Sequence, residues 1–158
     1  MEKTVNILFC GTGGQGVLAA AEICGWAALY SGLHVKKSEV HGMAQRGGSV
    51  ESHVRFGEKV FSPLIPEGRA DFLVAFDHGE SSRLRHMLKS KGTNLIDALD
   101  SAKHAVMDPR YVNIFLLGVL SRELPIAQEQ WTRAIEKVFK NKNMEENIRV
   151  FQLGRGGR

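Results

Sequence analysis

The sequence predicts an α/β fold: a three-layer, Rossmann-like sheet, mostly parallel, with an antiparallel hairpin element. Three observations carry that expectation. Residues 5–10 (VNILFC) are an apolar run stopped by glycines, which is how a strand buried on both faces reads. A helical pattern and a second strand-like stretch, residues 33–40, follow it. In residues 49–56, Val50, Ser52, Val54 and Phe56 then alternate with Ser49, Glu51, His53 and Arg55, the period of a half-buried strand.

The helix after the first strand is carried by Val17, Leu18, Ala21, Ile23, Cys24, Ala27, Ala28 and Leu29, which recur near helical period up to Ser31 and Gly32. A right-handed crossover makes the strands on either side of it run parallel. Gly57 and Glu58 predict a turn with Lys59, Val60 and Phe61 returning as the second arm of a hairpin, closed off by Pro63 and Pro66. Residues 70–76 read as a buried strand, residues 79–88 as a helix behind it and residues 93–96 as a further strand, with Asp108 and Pro109 at a turn. Residues 112–120 are apolar enough for a buried helix. Trp131, Ala134, Ile135, Val138 and Phe139 share one helical face, and Asn143 with Glu146 suggests a capped final helix. These elements fill one domain, residues 1–153, and residues 154–158 (GRGGR) read as a flexible tail.

Composition narrows the function. With 43% hydrophobic and 24% charged residues among 158, the chain supports one globular core. The net charge of +4 is spread among acids, so no nucleic acid is expected as partner. Arg83, Arg85, His86, Lys89 and Lys91, interleaved with Leu84 and Leu88, form a basic contact face that reads as an amphipathic helix end. Two isolated cysteines make neither a disulfide framework nor a cluster site, and the six histidines lack metal-ligand spacing, so no metal is expected. No apolar run reaches bilayer length and the N-terminus reads as leading into a strand, which predicts no membrane contact and a cytoplasmic location. Asp71 and Asp77 flank a strand and are expected to cap turns rather than to react. Trp26 and Trp131 are expected in the core. No catalytic residue is assigned.

Two motifs carry chemistry. Gly11, Gly13, Gly14, Gln15 and Gly16 form a G-x-G-x-x-G turn between strand and helix, where backbone N–H groups and the helix dipole face an anion. A dinucleotide site also needs an acid at the end of the second strand, and that strand carries Lys36 and Lys37 before Glu39. The glycines alone fit equally well a close packing of helix on strand. The second motif is the loop after the second strand, with His41, Gln45, Arg46, Gly47, Gly48 and Ser49 as candidate binding residues. It combines a cationic fork, amide and imidazole groups and glycines that admit close backbone approach, suited to a phosphate, a carboxylate or another subunit.

Together, GTGGQG at 11–16 and HGMAQRGGS at 41–49 resemble the gamma domain of the 2-oxoacid:ferredoxin oxidoreductase family, and within it the small subunits of indolepyruvate type. Further matches are residues 54–57 (VRFG), 62–68 (SPLIPEG), 70–71 and 113–118 (NIFLLG). The resemblance implies an accessory subunit of an enzyme complex, bound to a larger catalytic subunit that holds thiamine diphosphate, magnesium and iron–sulfur clusters. It implies ferredoxin as the electron acceptor and CoA as a candidate ligand, with no cofactor bound by this chain alone and a homodimer as its form in isolation. Compared with the family, the stretch between Leu95 and Asn113 is short, as though a strand–helix unit were missing, and Asp77 and His78 stand where Glu-Pro is usual. A stand-alone nucleotide- or CoA-binding module and a non-catalytic scaffold are the alternatives.

Overall fold

The computed structural model describes residues 3–41 and 48–156. Its five strands are β1 (Val5–Thr12), β2 (His34–His41), β3 (Ser49–Gly57), β4 (Ala70–Ala75) and β5 (Leu88–Asn94), in the spatial order β2-β3-β1-β4-β5. The helices are α1 (Val17–Tyr30), α2 (His78–Arg83), α3 (Asp97–Ala105), α4 (Val112–Ser121), α5 (Gln128–Phe139) and α6 (Met144–Gly156).

β1 pairs in parallel with β4, and β4 with β5, whereas β3 runs antiparallel to both β1 and β2. From the β1/β4 junction, the β1-α1-β2 connection travels toward one edge and β4-α2-β5 toward the other. Right-handed crossovers in opposite directions place α1 and α2 on opposite faces of the sheet. That junction is the topological switch point, where the strand ends leave a crevice.

Side-chain parity along β1 separates the layers. Ile7 and Phe9 point into the main core with Val54, Phe56 and Val74, against α1, α4, α5 and α6, while Leu8 and Cys10 face a smaller cluster with Ile65, Leu73, Ala75 and Leu84. α1 is apolar around most of its circumference because it lies between the sheet and α5. Trp131 is fully buried against Phe151, and Trp26 packs half-buried under the Lys137 ammonium.

The antiparallel hairpin element is β2–β3. Its arms differ from the expected ones: Lys59, Val60 and Phe61 form no strand, because β3 satisfies its backbone groups on both edges with β1 and β2. The chain after β3 instead folds over the smaller core. Arg55 donates to the Ser62 and Leu64 carbonyls, and Ile65 N–H donates to His53 Nδ1.

The helix expected over 79–88 stops at Arg83. A short 3-10 turn, Arg85–Met87, follows, and Leu88 begins β5, so Lys89 and Lys91 lie on an edge strand rather than on a helix. The strand expected at 93–96 is the end of β5, displaced toward the N-terminus. Two members of the expected basic face are already paired, Lys89 with Asp71 and Arg83 with Glu51 and Glu80. Asn143 has a left-handed backbone, and no side-chain cap from it occurs among the described residues; Asn147 donates its side-chain amide to the Lys142 carbonyl instead. α6 continues through Gly156, so the tail expected from residue 154 is helical there, and Gly154 is buried.

Gly154 is buried because α6 crosses α4 at a pair of glycines. A Cβ on Gly118 would overlap the Phe151 carbonyl oxygen, and one on Gly154 the Phe115 carbonyl oxygen. Gly118→Ala is therefore expected to destabilise the chain by about 1–3 kcal/mol or more, overriding the usual helix preference for Ala. Urea unfolding of the two proteins measures it.

Candidate functional site

The glycine-rich turn begins where β1 ends. Gly14 and Gly16 have φ of 95° and 81°, conformations costly for any residue with a Cβ. Gln15 folds back so that its Oε1 accepts the Thr12 N–H at 2.7 Å, closing the turn from inside. Gly16 precedes α1 as its N-cap without any side-chain hydrogen bond, and no acid stands in the first turn. The first N–H groups of α1 are thus left for a ligand.

Asn113, buried near the start of α4, seals the other side. Its Nδ2 donates to the Gly16 carbonyl at 3.2 Å, and a Cβ on Gly16 would collide with that same amide. In the sequence Asn113 reads as part of an apolar helix and of the family-like stretch NIFLLG, and not as a site residue. Its signal was there to find: an amide inside NIFLLG, buried where only a polar partner would justify it.

The second motif meets the first across the β1–β3 ladder. Thr12 lies opposite Ser49, and the Gly13 N–H donates to the Gly48 carbonyl at 2.9 Å. The structure therefore brings Gly11, Gly13, Gly14, Gln15 and Gly16 together with Gly48 and Ser49. His41 closes β2, at the other end of the same loop. Gln45, Arg46 and Gly47 lie outside the described residues. The Ser49 hydroxyl does not face an open site, since it donates to Glu80 Oε2 at 2.9 Å.

A cleft of about 690 Å³ opens beside the turn, at the switch point between β1 and β4. Gly14, Gln15 and Gly16 form its floor, Phe76 and Val106 an apolar wall, and Lys103 and Met107 part of the rim. Met107 is 99% exposed, a bare apolar side chain at the mouth. Arg110 also lines the cleft, with its guanidinium held by Asp108 through Nε and Nη2. Sequence reasoning missed Lys103, Val106, Met107 and Arg110 because they come from segment 97–110, which shows no clear helical or strand period.

The other candidates behave as structural groups. Asp77 caps α2 by accepting the Glu80 N–H, and Asp71 accepts the Asn6 N–H. Lys37 pairs with Glu22 at 2.9 Å and so is not free for a phosphate. Both cysteines are free and buried; burial first, then the field of Glu80, pushes the Cys10 thiol up to about 12, and burial alone raises Cys24. Neither supplies a thiolate near neutral pH. Among the described residues, no group of three His, Cys, Asp or Glu is placed to hold a metal, and no helix is long and apolar enough to cross a membrane.

Gly16 and Gly32 share a left-handed φ, but only Gly16 meets a neighbour, the Asn113 amide. Gly16→Ala should therefore cost at least about 1 kcal/mol more than Gly32→Ala, which carries only the backbone strain of about 1–2 kcal/mol. Thermal unfolding of the two variants side by side measures the difference.

The family described as pyruvate ferredoxin/flavodoxin oxidoreductase matches residues 6–109 and 95–156. Indolepyruvate oxidoreductase subunit IorB of Pyrococcus horikoshii is 49% identical over 191 residues, covering 96% of this chain and 95% of that protein. An alignment of 191 positions against a chain of 158 residues leaves at least 33 positions of the relative without a counterpart here. The family match is made of two overlapping segments, which share residues 95–109.

Among solved structures, the gamma subunit of a keto/oxoacid ferredoxin oxidoreductase from Geobacter sulfurreducens superposes with a TM-score of 0.78 at 22% identity, over 96% of this chain and 94% of that one. A 2-oxoglutarate:ferredoxin oxidoreductase from Magnetococcus marinus, with 2-oxoglutarate, coenzyme A and succinyl-CoA bound, has the same TM-score at 17% identity, over 99% of this chain and 31% of that one. At those identities the likeness is one of fold.

Proposed function

The chain belongs to the pyruvate ferredoxin/flavodoxin oxidoreductase family, and from that membership we propose that it is the small accessory subunit of a 2-oxoacid:ferredoxin oxidoreductase of indolepyruvate type. Its homologues are subunits of multi-subunit oxidoreductases. The observation that carries the reading is the joining of the two family motifs by the Gly13–Gly48 hydrogen bond beside an open cleft.

In this reading the complex decarboxylates an aryl 2-oxoacid, passes the electron pair to ferredoxin and transfers the acyl group to CoA. Two buried, high-pKa cysteines on β1 and α1 do not make a four-thiolate set, so the clusters, like thiamine diphosphate and magnesium, are assigned to the larger subunit. What this chain supplies is binding and placement. The N–H groups at the start of α1 suit the diphosphate of CoA, and Phe76, Val106 and Met107 suit its uncharged pantetheine arm. Arg46 and Gln45, in the second motif, serve either that ligand or the larger subunit. Free cysteines suit a reducing compartment, and we assign the complex to the cytoplasm.

A stand-alone CoA-binding module is the second reading, favoured by a cleft built from this chain alone. Co-expression with the large subunit separates the two. The accessory-subunit reading expects a stable hetero-oligomer whose indolepyruvate- and CoA-dependent ferredoxin reduction disappears when this chain is omitted. Full activity of the large subunit alone would contradict it, and tight CoA binding by a chain that joins no complex would favour the module.

A further inference from the structure

Among the described residues, a well-connected buried charge lies outside the cleft. Glu80, on α2, has a side chain only 10% exposed, and a carboxylate so buried must be fully partnered. Arg83 Nη2 donates to its Oε1 at 2.8 Å, and the Ser49 hydroxyl donates to its Oε2 at 2.9 Å. Arg83 Nη2 also reaches Glu51 Oε2 at 3.1 Å, and Glu51 Oε1 faces His53 Nε2 at 3.4 Å. Because His53 Nδ1 accepts the Ile65 N–H, its ring proton sits on Nε2 and points at Glu51. The His53 and Arg83 contacts hold the Glu51 carboxyl below the usual carboxylate range.

This network ends on Ser49, the first residue of β3. The preceding residue, Gly48, gives its carbonyl to the Gly13 N–H, and Ser49 itself stands opposite Thr12. Strand ends fray unless a side chain holds them. Here the holder comes from 31 residues away, on a helix whose Asp77 cap fixes the Glu80 backbone.

We propose that Glu80 is a positioning residue for ligand binding at the glycine turn: through Ser49 and Gly48 it holds the partner that the Gly13 N–H needs. Removing the carboxylate frees Ser49, loosens the end of the β1–β3 ladder and lets the turn spread, so that the N–H groups no longer converge. The proposal rests on the reading of the cleft as a CoA site.

The test uses the complex with its large subunit and measures KM for CoA and kcat together. Glu80→Ala is expected to raise KM for CoA about tenfold while kcat falls by less than about twofold, the signature of lost binding rather than lost chemistry. Glu80→Gln keeps an oxygen for the Ser49 hydroxyl and is expected to stay within about threefold of the parent KM. Ser49→Ala, a smaller change should Glu80→Ala fold poorly, is expected to reproduce the KM rise. An unchanged KM in Glu80→Ala or Ser49→Ala, or equal KM values for Glu80→Ala and Glu80→Gln, overturns the proposal and leaves the CoA reading standing. A parent complex with no CoA dependence overturns both.

Discussion

One backbone hydrogen bond, from Gly13 N–H to the Gly48 carbonyl, is the constraint on which the candidate site depends. It forms just past Thr12–Ser49, the last pair of the β1–β3 ladder, and so converts two loops distant in sequence into one surface. Everything around it narrows the freedom of those loops. Gln15 closes the first turn from within, Asn113 holds Gly16 from α4, and Glu80 holds Ser49 from α2. The three side chains come from the turn itself and from helices on both faces of the sheet.

The topology explains why this point is the useful one. Inserting antiparallel β3 between β1 and β2 sets Gly48 and Ser49 beside the end of β1, which an all-parallel order would not allow without another crossover. The switch between β1 and β4 opens the crevice next to it. The same crevice is walled by residues from segment 103–110. Met107 stands uncovered at its mouth.

Much of this was legible in the sequence. β1, α1, α4 and α5 announced themselves through continuous apolar runs or a clean helical face, because each is buried by nearest-layer contacts. β3 was legible as a strand, but its partners were not: alternation tells which side chains are buried, and pairing is settled by distant strands. β5 was legible only at its end, as the strand expected at 93–96, because LKSKGTN is a charged edge strand without an apolar face, and its lysines resemble a solvated helix. Both glycine motifs were read as binding elements, linked in the sequence only through the family they resemble. Glu80, which holds Ser49 from α2, carries no local pattern, since a buried carboxylate is recognised only by the partners that folding brings to it.

The central claim is that the two motifs act as one ligand-facing unit. Peptide-resolved hydrogen–deuterium exchange of the full chain, with and without saturating CoA, tests it most directly. The account predicts that CoA slows exchange in residues 13–18 and in residues 48–50 together, because tightening the turn tightens the bond that joins them. Protection confined to one of the two segments, or to neither, would contradict it.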